Sequence, residues 1–424
     1  MFKKILSLCL ALLMVATLGV SFASCGDKDG GAEDGLTESP LPAVQLQKDF
    51  DIPADFKVGF ICLHDELSTY DLNFINAVNT VKEVLGLTDE QVIFKKNVPE
   101  SNDCYEAAAD LVDAGCKVVF ANSFGHESYM ARAAEKFPNV QFCHATGTTA
   151  HTKGLDNFHN AFAPIYEGRF LAGVAAGLKL NEMIDAGTIT ADKAKMGYVG
   201  AFTYAEVISG YTSFFLGAKS VCPTVTMDVQ FTGSWYDEIK EKNAANALMD
   251  AGCVLISQHA DSMGAPSACE ERNVPNVSYN GATVEACPNT FIVSSKIDWS
   301  PYFLYMIKST VQGTEIVDDW CGKAYEGCVV LTGINEKAAA EGTLDKLKEV
   351  AAKLKSGEIK VFDTATFTVG GQTLTTYKAD VDTDDAFTPD TEAIADGYFH
   401  ESEYRSAPYF DVRIDGITLL NAEY

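Results

Sequence analysis

The sequence predicts an α/β protein with two doubly wound, Rossmann-like lobes. Short apolar runs typical of buried strands alternate with segments whose apolar residues recur at helical spacing, which is the pattern of parallel α/β layers. This alternation occurs twice along the chain. The globular part, roughly 375 residues, also exceeds what one hydrophobic core normally serves. We therefore expect two lobes that face each other across a cleft and are joined by a hinge.

The first series of elements runs from residue 56 to residue 143. Gly115 ends one of its helices and Pro138 stops another, as expected for helix breakers. The predicted strands are 56–63, 91–94, 117–121 and 140–143, and the predicted helices are 74–85, 107–114 and 128–136.

The second series repeats the first after a helix at 166–180. Gly252 again closes a helix directly before a strand. The predicted strands are 195–200, 225–230 and 253–257, and the predicted helices are 205–218 and 244–251.

The last 65 or so residues differ in character from the two lobes. Residues 361–377 are rich in Thr and aromatic residues around Gly370-Gly371, which predicts a hairpin. Residues 392–424 are irregular, and their Tyr, Phe and Pro content indicates that they pack on the body. We expect a C-terminal extension from residue 361 onward.

The amino-terminal segment is typical of an exported lipoprotein. Lys3 and Lys4 precede an apolar run at 5–20, which is shorter than the roughly 20 residues of a membrane-spanning helix. Small residues then lead into Cys25, which we expect to be acylated and to anchor the protein to the extracytoplasmic face of the cell membrane. Because Phe22 stands where such sites usually carry Leu, an ordinary secreted protein remains the alternative. The polar segment that follows reads as a flexible tether.

The charge balance argues against nucleic acid as a partner. The chain has 32 Lys and Arg against 59 Asp and Glu, a formal net charge of −27. Such an acidic surface repels phosphate backbones and anionic lipid headgroups. We expect a monomer that binds a small molecule.

The cysteines leave the redox state open. Ten cysteines remain besides Cys9 and Cys25, an even number compatible with disulfides outside the cell. Four of them lie inside apolar runs, where a free thiol behaves as a small hydrophobe: Cys62, Cys116, Cys143 and Cys253. Cys321 and Cys328 are the pair whose spacing would allow a local bridge. No spacing is typical of thiolate zinc sites.

Polar residues cluster directly after the predicted strands, where a doubly wound lobe faces its crevice. Donors and acceptors of this kind, with aromatic rings available to stack, suit a flat heteroaromatic ligand. The alternative is that each polar residue caps the following helix. The candidate ligand-binding residues from this pattern are Phe74, Asn122, Phe124, His144, Thr146, Trp235, Gln258 and Asp261.

The histidines raise a metal site as an alternative. His64, His144 and His259 all end strands, and Asp65 or Asp261 could complete a site. Because His259 belongs to the other lobe, such a site would require the cleft to close, and hydrogen bonding is favoured. We predict no metal and no cofactor. We also predict no enzymatic activity, since the sequence has no nucleophile elbow, phosphate-binding loop or His-Glu-x-x-His motif.

Four short motifs occur in order along the chain: 157–162 (NFHNAF), 166–173 (YEGRFLAG), 233–237 (GSWYD) and 258–262 (QHADS). Together they resemble the basic membrane protein family of ABC transporter solute-binding lipoproteins, and the likeness extends from about residue 56 to about residue 360. The resemblance implies a type I periplasmic-binding-protein fold, a purine base or nucleoside as ligand, and an ABC permease as partner. A further motif, His144-Ala145-Thr146-Gly147, is similar to the adenine-binding branch of the family.

The resemblance also implies roles for particular residues. Asp65 matches an aspartate that hydrogen-bonds the base, and Phe74 and Trp235 match two stacking aromatics. Gly264 matches a backbone contact, and Lys296 matches a lysine that helps to hold the sugar.

Two positions depart from the family pattern. Asn280 occupies the place of an aspartate used for ribose, and the region of Ala145 lacks an acidic base-binding residue. The loss of these carboxylates favours a free base or another flat heterocycle over a nucleoside.

The expected domains follow from these elements. A ligand-sensing or adhesive lipoprotein of the same fold, without transport, is the main alternative function, and a nucleoside hydrolase is another. The expected bounds are 1–24 for the leader, 25–54 for the acylated cysteine and linker, 55–160 with 284–325 for the first lobe, 161–283 with 326–360 for the second lobe, and 361–424 for the extension.

Overall fold

A computed structural model describes residues 35–381 and 388–423. The predicted leader at 1–24 and the predicted lipidation site Cys25 lie outside the described residues. The strands are β1 (Val58–Ile61), β2 (Val92–Lys95), β3 (Val118–Ala121), β4 (Gln141–Ala145), β5 (Phe158–Phe162), β6 (Lys195–Gly200), β7 (Thr226–Phe231), β8 (Leu255–His259), β9 (Asn276–Tyr279), β10 (Phe291–Ile297), β11 (Asp319–Cys321), β12 (Val329–Leu331), β13 (Lys378–Ala379), β14 (Thr391–Glu392), β15 (Ile394–Ala395), β16 (Tyr398–Phe399) and β17 (Ile417–Leu419).

The helices alternate with the strands over most of the chain. They are α1 (Thr69–Leu85), α2 (Asn102–Asp113), α3 (Glu127–Lys136), α4 (Ala150–Lys153), α5 (Ile165–Asp185), α6 (Ala205–Val221), α7 (Glu238–Asp250), α8 (Gly264–Arg272), α9 (Ser300–Gln312) and α10 (Thr343–Ser356).

Two large sheets define the two lobes, and the predicted fold class is confirmed. The first lobe contains a sheet of order β11-β5-β4-β3-β1-β2, whose strands are all parallel. The second contains a sheet of order β12-β10-β9-β8-β6-β7-β17, which is parallel except for the β10–β12 pair. Both sheets have a doubly wound strand order. Successive strands are added on one side of β1 and then on its other side, and the same change of side occurs at β6 in the second sheet. Ligands bind at the carboxyl ends of strands beside such a change of side.

Local sequence explains why the elements form where they do. β1, β3 and β8 are buried along their whole length, as expected for central parallel strands. Helix α1 begins at Ser68, whose Oγ accepts a 3.1 Å hydrogen bond from the backbone N–H of Asp71, and ends at Gly86 in the left-handed region. The Ser68 cap fixes the first turn of α1, in which Tyr70 lies.

The lobe boundaries differ from the expected ones in the segment 284–325. Residues 284–325 were expected in the first lobe, but β10 lies within the second sheet. Only the part of the segment after β10 joins the first lobe. There α9 packs on α1 and on β3, while β11 forms the edge of the first sheet. The chain therefore crosses between the lobes three times, near residues 163, 298 and 325.

The C-terminal extension packs on both lobes. Its last strand, β17, pairs with β7 and extends the second sheet. In the same extension, the backbone N–H of Ser406 donates to Asp319 Oδ1 in the first sheet at 2.6 Å, while Glu401 accepts a hydrogen bond from Ser209 on α6. The predicted hairpin at 361–377 is reduced to one bridge between Val369 and Gln372 around the Gly370-Gly371 turn.

The ten cysteines of the described residues are free thiols. Cys321 and Cys328, the pair whose spacing suggested a bridge, are among them. No helix within 35–381 and 388–423 combines the length and the apolar character needed to cross a membrane.

Candidate functional site

A narrow cavity lies between the two lobes at the carboxyl ends of their strands. The first lobe contributes Leu63, Tyr70, Ser123, Phe124 and Thr146 to its lining, and the second lobe contributes Glu206, Trp235, His259, Asp261 and Tyr279.

The wall from the first lobe is formed by residues that directly follow strands or begin a helix. Tyr70 lies in the first turn of α1, and its hydroxyl donates a 2.6 Å hydrogen bond to the carbonyl of Asn122. Phe124 follows β3. Ser123 donates through its Oγ to Glu100 Oε1 at 2.6 Å. This side of the cavity is therefore aromatic, and its hydroxyl groups are already engaged with the protein.

Asp261 is a buried carboxyl group of the wall from the second lobe with weak hydrogen bonding. Among the described residues, its carboxylate accepts one long hydrogen bond, 3.5 Å from Asn280 Nδ2. Burial raises the pKa of the Asp261 carboxyl well above its usual range, and the nearby charges of Asp71, Glu241 and Glu206 add to the rise. Because a buried carboxylate without donors is costly, a ligand N–H would stabilise its ionised form.

His259, Glu206 and Tyr279 line the cavity next to Asp261. His259 Nε2 lies 3.4 Å from Glu206 Oε1, and the imidazole ring packs on Tyr279 with 4.5 Å between ring centroids. Burial lowers the pKa of His259, so the neutral imidazole is favoured. Two carboxyl groups and no Lys or Arg line the cavity, a composition that favours a ligand with N–H donors over an anion.

Contacts between the lobes close the cleft around the cavity. The rings of Phe124 and Tyr204 stack with centroids 4.8 Å apart, and the rings of His64 and Tyr236 lie 5.3 Å apart. The backbone N–H of Thr69 donates to the carbonyl of Asp261 at 2.9 Å. The two lobes thus touch on several sides of the cavity, which describes a closed arrangement.

Two residues at the ends of strands have left-handed backbone conformations. Thr146 after β4 has φ = 65°, and Asn280 after β9 has φ = 65°. For a β-branched residue such as Thr this conformation is strained, and such strain is concentrated at functional sites. Thr146 is in the lining, whereas Asn280 acts on it through Asp261.

The structure places four of the predicted ligand-binding residues in the cavity lining. These are Phe124, Thr146, Trp235 and Asp261. The other predicted residues lie outside the lining: Asp65, Phe74, Asn122, His144, Gln258, Gly264, Asn280 and Lys296.

Phe74 was expected to stack on the ligand but is buried in the core of the first lobe. Its ring stacks on Trp299 with centroids 4.5 Å apart, and its side chain is 2% exposed. The N-terminus of α1 points at the cleft, so Tyr70 reaches the cavity while Phe74, one turn further along the same face, packs against the core. Tyr70 therefore occupies the place expected for Phe74.

Asp65 was expected to hydrogen-bond the ligand but faces the outer rim of the cleft. Its carboxylate accepts 3.1 Å hydrogen bonds from the backbone N–H of Leu67 and from Asn97 Nδ2. These bonds hold the pKa of Asp65 below its usual value. A buried aspartate in the first turn of α1, Asp71, supports the site instead, since it accepts a 2.7 Å hydrogen bond from Asn122 Nδ2.

The remaining predicted residues support the surrounding structure. Gln258 accepts from Asn276 Nδ2 at 3.0 Å, and Gly264 allows close packing, since a Cβ there would lie 2.3 Å from the carbonyl oxygen of Glu238. Lys296 lies on β10, paired with Val330 of β12.

The three histidines considered as metal ligands each interact with a different protein group. His64 Nδ1 lies 3.5 Å from Asp71 Oδ2, and His144 Nε2 lies 2.6 Å from the carbonyl of Ser123. His259 faces Glu206, as described above. Within the described part of the chain, no three His, Cys, Asp or Glu side chains are grouped in a way that could hold a metal ion.

Sequence reasoning missed several lining residues, mainly Tyr70, Glu206 and Tyr279. Glu206 lies in the first turn of the helix after β6, and Tyr279 ends β9. The rule that residues after strands face the crevice would have found both if it had been applied to these two strands.

Comparison with known proteins gives one family and one fold. The model of a family described as "ABC transporter substrate-binding protein PnrA-like" matches residues 70–365. A purine-binding protein of Brucella abortus is 31% identical over 315 residues, which cover 73% of this chain and 80% of that protein. A Haloferax volcanii protein, named as a candidate glucose-binding protein of an ABC transporter, is 28% identical over 250 residues, covering 59% of this chain and 60% of its own length.

A solved solute-binding protein of an ABC transporter system from Conexibacter woesei has a similar fold. Its TM-score is 0.58 at 20% identity, and the match covers 72% of this chain and 98% of that one. This likeness supports the two-lobed architecture.

Proposed function

The chain belongs to the PnrA-like (basic membrane protein) family of ABC transporter substrate-binding proteins, and we propose that it captures a free purine base in the cavity between its lobes and delivers it to a membrane permease. The observation that carries the proposal is Asp261, a buried carboxyl in the cavity wall that lacks strong hydrogen-bond donors. The edge of a purine base supplies N–H donors, and its faces match the aromatic walls formed by Tyr70, Phe124 and Trp235.

The lining of the cavity favours a base over a nucleoside. The two residues that the family resemblance connects with the sugar, Asn280 and Lys296, do not line the cavity. The relative from Brucella abortus, named as purine-binding, supports this ligand class.

Transport is favoured over the other functions considered. The matched family and the matched solved structure are solute-binding proteins of transporters, so a sensor or adhesin without a permease is not favoured. Such proteins act outside the cytoplasmic membrane. We propose that a lipid on Cys25 holds this protein at the membrane and that the protein is a monomer.

Ligand binding tests the proposal directly. We expect adenine, guanine or hypoxanthine to bind the purified protein in calorimetry more tightly than adenosine, inosine or glucose, and to raise its melting temperature by mass action. Trp235→Ala should remove most of this shift, because the variant loses an aromatic wall of the cavity. Lys296→Ala serves as a control from outside the lining. Tighter binding of glucose than of any purine base, or an unchanged shift in Trp235→Ala, would contradict the proposal.

A further inference from the structure

Arg169 on α5 is a buried cation that the proposed binding site does not yet explain. Its side chain is 0% exposed, and its guanidinium forms no ion pair with a carboxylate of the described residues. Its Nε also lacks a hydrogen-bond partner. Burying an arginine without an ion pair costs free energy, because its charge loses hydration that hydrogen bonds must replace.

The guanidinium joins the two strands that end in cavity residues. Nη2 donates to Ser257 Oγ at 2.8 Å, and Nη1 donates to the carbonyl of Ser278 at 3.2 Å. Ser257 precedes the cavity residue His259 by two positions on β8, and Ser278 directly precedes Tyr279 on β9.

This link lies at the end of the pairing between the two strands. β8 and β9 are paired at Ile256–Asn276 and Ser257–Val277. Arg169 contacts β8 at the last paired residue, Ser257, and β9 one residue beyond the last pair, at Ser278, so its fork adds a side-chain link where the backbone pairing ends. Remaining hydrogen bonds run to Tyr198 Oη at 3.2 Å and Ser295 Oγ at 3.4 Å.

Arg169 also contacts the cavity wall from behind. Its guanidinium carbon lies 5.1 Å from the ring centroid of Tyr279, a cation–π distance, and Tyr279 packs on His259. The positive charge contributes to the lowered pKa of His259 and opposes the rise that burial gives to the pKa of Tyr279. One layer of side chains therefore separates the cation from the space that Glu206 and Asp261 line.

We propose that Arg169 is a positioning residue, which holds Tyr279 and His259 in place against the ligand and offsets the carboxylate charge of the cavity wall. The inference rests on the proposed function only in taking this cavity as the ligand site, and does not depend on the ligand being a purine. A lysine would keep the charge but could not bridge both strands, because it lacks the planar fork.

The test compares Arg169→Met and Arg169→Lys with Arg405→Met in the full chain. Arg405 is the control because it is a half-buried arginine that also donates to backbone carbonyls, those of Asp380, Ala407 and Pro408, in the extension. Adenine affinity is measured by calorimetry, melting temperature by scanning calorimetry, and the positions of Tyr279 and His259 in crystal structures without ligand.

We expect Arg169→Met to bind adenine at least tenfold more weakly, with the Tyr279 ring displaced, and Arg169→Lys to recover part of the affinity. Arg405→Met should lower the melting temperature but change affinity less than twofold. Affinity within twofold of wild type in Arg169→Met, with Tyr279 and His259 unmoved, would overturn the inference. If Arg169→Met fails to fold, wild-type affinity and an unmoved Tyr279 in Arg169→Lys would overturn it equally.

Failure of the proposed function gives a different result. Wild-type protein that binds no adenine would refute purine binding, and the crystal structures would then decide the role of Arg169 alone. A Tyr279 ring that moves in Arg169→Met but stays in place in Arg405→Met would support that role.

Discussion

Asp261 is the residue whose chemistry decides what the cavity can bind. It lines the cavity and is 5% exposed. Among the described residues, its carboxylate accepts one long hydrogen bond, from Asn280 Nδ2 at 3.5 Å. Hydrogen bonds to charged groups contribute about 1.5 to 3 kcal/mol.

Replacing this carboxyl should weaken binding strongly. We expect Asp261→Asn to lower the affinity for adenine by about 10- to 100-fold, since the amide offers weaker acceptors for the N–H groups of the base. Asp65→Asn should change affinity less than twofold, because Asp65 lies outside the lining. Calorimetry at pH 7 measures both. Equal losses in the two variants would show that Asp65, as the sequence indicated, also contacts the ligand.

Sequence patterns predicted where in the fold the site lies more accurately than they predicted which residues line it. The rule that residues after strands face the crevice correctly located Phe124, Thr146 and Asp261. It could not distinguish Tyr70 from Phe74, because both lie on one face of α1 and only the tilt of the helix decides which ring reaches the cleft. Nor could it show that Asn122 would turn toward Asp71.

At the scale of elements, the sequence indicated the strongly periodic segments. The predicted helix at 205–218 corresponds to α6, and the predicted strand at 195–200 to β6. Edge strands such as β11 and β12 are three residues long and have too little pattern to be recognised. β17 depends on a pairing with β7 nearly 200 residues away, which no local pattern encodes.

The C-terminal extension has an element-scale consequence for the dependence of stability on pH. Burial raises the pKa of Glu401 to about 7 and that of Glu167 to about 7, and the charge of Glu167 adds to the rise at Glu401. The folded state then binds more protons than the unfolded state. The contribution of these two groups to the free energy of unfolding is therefore fully present below the unfolded pKa near 4.5, and it is lost as the pH rises through about 7.

Removing one of these carboxyl groups should flatten the profile. Between pH 5 and pH 8 we expect the free energy of unfolding of Glu401→Gln to increase, relative to that of the wild type, by a few kcal/mol, because the variant lacks the carboxyl group that must ionise while buried. Urea unfolding at pH 5, 6.5 and 8 measures it. Glu326→Gln, which changes an exposed side chain, is the control. A variant profile parallel to that of the wild type would contradict a buried, protonated Glu401.

On the scale of the whole molecule, closure depends on aromatic contacts between the lobes. Phe124 and Tyr204 stack across the cleft, and Tyr204 is 38% exposed. Such pairs contribute about 0.5 to 1.5 kcal/mol beyond area burial, and this one exists only when the lobes are closed.

Loss of that contact should therefore speed ligand release. We expect Tyr204→Ala to raise the dissociation rate of adenine about two- to tenfold, as followed by stopped-flow fluorescence of Trp235, whose ring lies 6.0 Å from that of Tyr204. Tyr404→Ala, with a similarly exposed ring in the extension, should leave the rate unchanged. Equal rates in the wild type and Tyr204→Ala would mean that the stack does not hold the closed form.

The most direct test of the account is a crystal structure of the protein grown with adenine. We predict electron density for the base inside the cavity between β3 and β8, with an N–H group within hydrogen-bond distance of the Asp261 carboxylate and with aromatic side chains of both lobes on its faces. Density for adenine elsewhere on the protein, or a base that contacts one lobe only, would contradict it.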